Sequence, residues 1–141
     1  MFDVLKKILN DLEGIDYALI GTFNLSIQGI KEVNPNDIDF VTDDKNLEKI
    51  AQKYQAQIKV DPEWGHKDLK FELDEIEVQF TSHDNNVLRE GSFPKNKVFI
   101  TKNDLRIPCM SLESELNFYE KGAREKDKIR VSLIKEKLCA S

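Results

Sequence analysis

Two aspartates, Asp37 and Asp39, have the residue type and spacing to bind a divalent cation. They lie in the run Asn36-Asp37-Ile38-Asp39-Phe40-Val41, which begins fourteen residues after the pair Gly21-Thr22. Side chains of an extended segment alternate between its two faces, so both carboxylates project from one face and the apolar residues of the run from the other. At ~3.3 Å of rise per residue their Cβ atoms lie roughly 6.6 Å apart, a span that two carboxylates can fill around one or two cations.

The metal expected at such a pair is Mg²⁺, with Mn²⁺ as the alternative. Mg²⁺ prefers carboxylate, phosphate and water oxygens, and it usually takes only one or two protein carboxylates besides substrate phosphates. Two-metal sites hold the attacking and leaving oxygens of an in-line displacement. An Asp-x-Asp sequence also occurs in loops and on solvated strand faces, so the motif alone leaves both interpretations open.

The pair Gly21-Thr22 is a candidate phosphate-binding turn. It follows a short apolar run, Tyr17–Ile20, that predicts a buried strand, and Thr22 is expected to cap a helix extending to about Ile30. Backbone N–H groups at a helix N-terminus are unpaired donors in a positive partial field, which favours phosphate. The simpler alternative is a glycine that ends a strand and a threonine that only caps a helix.

Residues 69–80 predict a β-hairpin that brings further carboxylates into play. Apolar and polar residues alternate along both halves, and a turn at Asp74-Glu75 places all six apolar residues on one face. The expected cross-strand pairs are Leu73 with Ile76, Phe71 with Val78 and Glu72 with Glu77. Two like charges directly opposite each other are destabilising, so we expect a compensating cation near Glu72 and Glu77.

The remaining patterns predict helices around a mixed sheet. Amphipathic helices are expected over residues 2–12, after Asp43 or Asp44 as far as Tyr54, from Ser111 to about Lys121, and at the C-terminus through Leu138. Residues 82–97 read as a loop, and residues 107–110 as a short strand compatible with a sheet edge. The expected fold class is α/β, of the α+β kind, with a mixed β-sheet flanked by helices. The length of 141 residues predicts a single domain, 1–141, with C-terminal helices over about 111–138.

In order and spacing these segments resemble the nucleotidyltransferase superfamily with the polymerase-beta-like fold, and especially its small members that modify antibiotics. The resemblance is carried by Ala18-Leu19-Ile20-Gly21-Thr22, by Asn36 to Val41, by Ile76-Glu77-Val78 and by the C-terminal stretch from Ile107. It implies transfer of a nucleoside monophosphate from a nucleoside triphosphate to an acceptor hydroxyl, with release of pyrophosphate. The acceptor stays open among a small molecule such as an aminoglycoside or lincosamide-like drug, an RNA end and a protein hydroxyl.

The resemblance also implies roles for five residues. Gly21 and Thr22 would hold the triphosphate, Asp37 and Asp39 would bind the metal, and Glu77 would bind metal and help to take the acceptor's proton. Glutamate at Glu77 replaces the commoner aspartate, so whether Glu72 or Glu77 is the third carboxylate stays open. Two further departures are threonine at Thr22, where many relatives have serine, and Arg130, where relatives often carry aspartate.

Composition narrows the function classes. A net charge of −5 opposes tight nonspecific binding to nucleic acid, no segment approaches the ~20 apolar residues of a membrane span, and no export signal is visible. We therefore expect a cytoplasmic enzyme without a membrane partner, and a homodimer is plausible because the chain is short. The basic residues over 121–130 read as a solvated helical face, and His66 is given no catalytic role. The rival hypotheses are a noncatalytic nucleotide-binding or partner-binding module and a purely structural α/β domain.

Overall fold

The computed structural model describes residues 1–89, 91–122 and 124–140. The helices are α1 (Phe2–Asp11), α2 (Gly21–Ile27), α3 (Asp44–Tyr54), α4 (Leu112–Lys121) and α5 (Glu125–Ala140). The strands are β1 (Ala18–Ile20), β2 (Ile38–Thr42), β3 (Lys59–Val60), β4 (Lys67–Leu73), β5 (Ile76–Ser82), β6 (Lys97–Lys102) and β7 (Leu105–Met110). Within these ranges no helix has the length and apolar character needed to cross a bilayer.

The seven strands form one mixed sheet in the order β3-β4-β5-β2-β1-β7-β6. The β2–β5 and β1–β7 pairs are parallel, and the other neighbours are antiparallel. The predicted fold class, a mixed sheet flanked by helices, is confirmed. Strand β2, which carries the Asp-x-Asp sequence, lies in the centre of this sheet, where neighbours on both sides fix its register.

One face of the central strands forms the main core. Ile38 and Phe40 of β2 are fully buried, and the Phe40 ring stacks on Phe80 of β5 at a centroid distance of 4.6 Å. Apolar residues of α1 and α3, such as Leu5 and Leu47, belong to the same cluster. Because side chains alternate along a strand, burial of the even-numbered residues of β2 directs Asp39 to the opposite face.

The β4–β5 hairpin has the predicted register. Leu73 pairs with Ile76 across the turn, and Glu72 lies directly opposite Glu77. Lys70 provides the expected compensating cation, since its Nζ is 3.6 Å from Glu77 Oε1. The turn residues Asp74 and Glu75 both have positive φ, 48° and 68°, so the turn is made without the usual glycine.

Two helix caps were predicted correctly and one was not. The side chains of Asp43 and Ser111 accept hydrogen bonds from backbone N–H groups in the first turns of α3 and α4. The prediction that Thr22 caps α2 is wrong, because α2 begins at Gly21 with no side-chain cap and ends at Ile27 rather than near Ile30. The Thr22 hydroxyl instead accepts a hydrogen bond from Arg130.

The β6–β7 hairpin was only half predicted. The predicted strand over residues 107–110 is confirmed as part of β7. It lies between β1 and β6 and not at the sheet edge with which it is compatible, and Pro108 stands opposite Phe99 in the ladder. Strand β6 was not predicted; it is the edge strand on this side of the sheet and leaves Phe99 47% exposed. Its turn at Asn103-Asp104 takes two positive φ values, 51° and 62°, without a glycine to signal it.

Candidate functional site

A cavity of about 540 Å³ borders the Asp-x-Asp sequence. Four of the five predicted site residues line it: Gly21, Thr22, Asp37 and Asp39. Four cationic side chains line it as well: Arg89, Arg124, Lys126 and Arg130. Paired carboxylates and several cations around one cavity suit a ligand that is anionic itself and carries a metal ion.

Gly21 and Asp39 meet because β1 and β2 are neighbours. Ile20, the last residue of β1, pairs with Asp39 in the antiparallel ladder, so the next residue lies beside the carboxylate. Gly21 has a φ of +74°, and a Cβ at this position would lie 3.1 Å from Asp39 Oδ2. Both the backbone conformation and the close approach therefore require glycine.

Replacing Gly21 with alanine is expected to lower both stability and ligand binding. The left-handed backbone costs about 1–2 kcal/mol for a residue with a Cβ, and the added methyl displaces the Asp39 carboxylate. Gly14→Ala is the matched control, because Gly14 has a similar φ of +86° and no atom within 4 Å of a Cβ. Urea unfolding and metal titration of both variants separate the two effects. Equal metal affinity in the two variants would contradict a role for the Gly21–Asp39 contact.

The environment of Asp39 disfavours the ionised form of its carboxyl group when no cation is bound. Burial, and after it the neighbouring Asp37 carboxylate, raise the pKa of Asp39 to about 7, against the opposing effect of the Arg89 guanidinium. At neutral pH this carboxyl group is therefore poised between its two protonation states. A bound cation would compensate both the burial and the repulsion by Asp37, so the donor set fits a metal ion.

A buried ion pair fixes the turn at Gly21, and no local pattern in the sequence indicates it. Glu115 of α4 is fully buried; its Oε2 accepts a hydrogen bond from the Gly21 N–H at 2.7 Å. Its Oε1 accepts another from Arg89 Nη1 at 3.0 Å, and Arg89 is only 4% exposed. The Gly21 N–H, expected as an unpaired phosphate donor, is thus already occupied.

Helix α5 and Arg124, the residue directly before it, contribute cations to the same cavity. Arg130 Nη2 donates a hydrogen bond to Thr22 Oγ1 at 2.8 Å. Arg124 binds Asp127 through Nε and Nη2, at 2.9 and 2.7 Å. The interpretation of residues 121–130 as a purely solvated face is wrong for Arg130, which is part-buried and paired with a residue 108 positions away.

Glu77, the predicted third carboxylate, does not line the cavity with the other four residues, although its charge is close enough to raise the pKa of Asp39. Its side chain is 50% exposed and pairs with Lys70, and it is not among the described residues that line the cavity. Gln79 does line the cavity and stands opposite Asp39 in the β2–β5 ladder. Glu72 lies one strand further away, on β4.

A second group of possible metal ligands lies near the cavity. Within the described ranges, the three ligand atoms that fall within 4.8 Å of one another belong to Asp61, His66 and Asp68, not to Asp37, Asp39 and Glu77. His66, which was given no role, also lines the cavity, and its Nε2 is 3.8 Å from Asp68 Oδ2. Nothing in the local sequence around His66 indicates that this residue lines the cavity.

A mixed sheet with paired carboxylates beside a glycine-threonine turn is the arrangement that the resemblance to nucleotidyltransferases implies. A family model described as aminoglycoside-2''-adenylyltransferase matches residues 4–134. The chain belongs to this family.

Solved structures agree with the fold. The Thermotoga maritima nucleotidyltransferase candidate TM1012 is similar over 99% of this chain and 93% of its own, with 21% identity and a TM-score of 0.72. The lincosamide antibiotic adenylyltransferase LnuA, solved with lincomycin bound, is similar over 95% and 94%, with 20% identity and a TM-score of 0.61. ANT(2'')-Ia, solved with adenylyl-2''-tobramycin, is similar over 96% and 88%, with 13% identity and a TM-score of 0.64. No curated protein matches the chain.

Proposed function

We propose that this protein is a metal-dependent nucleotidyltransferase that moves a nucleoside monophosphate from a nucleoside triphosphate to a hydroxyl group of a small molecule. The observation that carries the proposal is the position of Asp37 and Asp39, beside Gly21 and Thr22, in a cavity that also holds four cationic side chains. Carboxylates bind the metal, and cations and the hydroxyl bind phosphate oxygens.

The residues have distinct tasks in this reaction. Asp37 and Asp39 would hold Mg²⁺ or Mn²⁺, which supplies Lewis-acid stabilisation of the triphosphate when it is bound. Gly21 keeps its backbone close to Asp39, and Thr22 donates to a phosphate oxygen. The acceptor oxygen attacks the α-phosphorus and its proton passes to solvent or to a carboxylate that acts as base; the bond between the α-phosphorus and the oxygen that bridges to the β-phosphorus breaks, and pyrophosphate leaves with that oxygen. Glu77 Oε1 lies 3.6 Å from Lys70 Nζ, so a role for Glu77 at the metal would compete with this ion pair.

A small-molecule acceptor is supported by the family and by the contents of two similar structures. LnuA was solved with lincomycin, and ANT(2'')-Ia with an adenylylated tobramycin. The name of the family refers to adenylyl transfer to an aminoglycoside. ATP with aminoglycosides and lincosamides is therefore the first combination to examine.

The test is pyrophosphate release with Mg²⁺ or Mn²⁺, each of the four nucleoside triphosphates and a panel of antibiotic acceptors. Release that requires metal, triphosphate and one acceptor together is expected, and mass spectrometry should show an acceptor heavier by one nucleoside monophosphate. Glu77→Gln, run beside the parent protein, determines whether Glu77 takes part. Triphosphate hydrolysis independent of every acceptor would contradict the proposal.

One observation favours a noncatalytic alternative. Gln79, which cannot act as an anionic metal ligand, stands opposite Asp39, while Glu77 is turned toward Lys70. A cavity with two carboxylates instead of three could bind metal and triphosphate without transferring the nucleotide. Calorimetric binding of the metal–triphosphate complex without pyrophosphate release across the whole panel would identify such a module.

A further inference from the structure

Arg130 forms no direct ion pair with a carboxylate of the described residues, although its charge acts on Asp127 one helical turn away. Its guanidinium lies over the Tyr119 ring, with Cζ 5.5 Å from the ring centroid, and Nη2 is bonded to Thr22. In the described part of the chain, no carboxylate lies within 4.0 Å of it, whereas Arg89 and Arg124 are paired with Glu115 and Asp127. A part-buried cation that lines a cavity without a counter-ion favours an anionic ligand.

The hydrogen bond from Arg130 also determines how the Thr22 hydroxyl is used. A guanidinium has only donors, so Thr22 Oγ1 must accept this bond and its own proton points elsewhere. Among the described residues, Thr22 Oγ1 has no hydrogen bond besides the one that it accepts from Arg130. The hydroxyl is therefore left as a donor in a cavity that it shares with Arg130 and Lys126.

Packing of α5 holds Arg130 in this position. Ile134, four residues later on the same helix face, is fully buried in a cluster with Leu25 of α2 and Tyr119 of α4. The cluster joins α5 to the helix that begins at Gly21. The distance between Arg130 and Thr22 is thus set by a packed interface and not by one long side chain alone.

We propose that Arg130 is a positioning and anion-binding residue for the terminal phosphates of the nucleoside triphosphate. It orients the Thr22 hydroxyl as a donor to a phosphate oxygen and supplies the charge that this oxygen meets. The proposal deepens the proposed function and rests on it for the identity of the ligand. Lys126, which has no ion-pair partner within the described ranges, adds a second charge at the same cavity.

Calorimetric binding of two probes, magnesium tripolyphosphate and adenosine, tests this role without requiring turnover. Arg130→Met should weaken tripolyphosphate binding at least tenfold and leave adenosine binding unchanged, and Arg130→Lys should recover part of the loss. Lys128→Met is the matched control, since Lys128 lies on the same helix, is exposed and pairs with Glu125 outside the cavity. The control should change tripolyphosphate binding less than twofold.

A double-mutant cycle with Thr22→Val separates positioning from charge alone. If Arg130 acts through the hydroxyl, Arg130→Met should cost less in the valine background than in the parent protein. Loss of binding equal to that of Lys128→Met, or a wild-type protein that does not bind tripolyphosphate, would overturn the inference. Arg130-dependent tripolyphosphate binding in a protein that releases no pyrophosphate would instead refute the proposed transfer reaction and leave this site standing.

Discussion

Replacing Asp39 with asparagine is expected to reduce nucleotide transfer by about 10³-fold, the order of loss seen when a group that stabilises transition-state charge is removed. Asparagine preserves the shape of the side chain but removes the negative charge that would bind the metal. The fold should be retained, because Asp39 lies on the face opposite the main core. Pyrophosphate release and circular dichroism check the two parts of this expectation.

The same substitution should stabilise the metal-free protein at high pH. Folding raises the pKa of Asp39 from 3.8 to about 7, chiefly through burial. Between these values the folded protein keeps a proton that the unfolded chain has lost, so the free energy of unfolding falls as pH rises, by up to about 1.4 kcal/mol per pH unit. Asparagine has no proton to lose, so the variant should be the more stable protein at pH 8 and close to the parent at pH 4.

Urea unfolding from pH 4 to pH 8, with and without Mg²⁺, measures this effect. Asp3→Asn is the control, because Asp3 lies exposed on α1, away from the cavity. Mg²⁺ should stabilise the parent protein and the control, but not the Asp39 variant. Full activity of the Asp39 variant, or an equal response to Mg²⁺, would contradict the assignment of Asp39 as a metal ligand.

Replacing Glu115 with leucine should cause the largest loss of stability, about 3–5 kcal/mol, since it leaves the buried Arg89 charge without its partner. The Gly21 N–H also loses its acceptor. In a domain of this size the melting temperature should fall by about 10 °C or more.

Two further variants test whether this loss of stability comes from the buried Arg89–Glu115 ion pair. Glu113→Leu changes an exposed glutamate of the same helix and should alter stability by less than about 0.5 kcal/mol. Adding Arg89→Met to Glu115→Leu should recover part of the loss, because no uncompensated charge then remains buried. If the two losses simply add, Arg89 and Glu115 are not coupled in the way that the geometry indicates.

Local patterns in the sequence were sufficient to predict most of the sheet and its helices. Alternation at period two located the β4–β5 hairpin and its register, because a slip by one residue would expose Phe71 and its apolar neighbours. Strand β6 and the turn of the β6–β7 hairpin were not predicted. The strand lies at a largely exposed sheet edge, and its turn, Asn103-Asp104, adopts positive φ without glycine. Asparagine and aspartate tolerate this conformation, but they are equally common in loops.

The site could be predicted only where its residues are close in sequence. Four residues belong to two short motifs at the ends of the adjacent strands β1 and β2 and line one cavity: Gly21, Thr22, Asp37 and Asp39. The Glu115 bond to Gly21 and the Arg130 bond to Thr22 join residues 94 and 108 positions apart. No periodicity or spacing encodes such contacts, since they depend on how α4 and α5 pack against α2.

The most direct test of the central claim, that Asp37 and Asp39 hold a metal ion and its triphosphate beside Gly21 and Thr22, is a crystal structure with Mn²⁺ and a nonhydrolysable ATP analogue. Anomalous scattering from manganese locates the metal independently of the protein density. We predict a manganese ion bound by Asp37, Asp39 and phosphate oxygens, with the terminal phosphates at Thr22 and Arg130. Manganese at Asp61, His66 and Asp68, with none between Asp37 and Asp39, would contradict it.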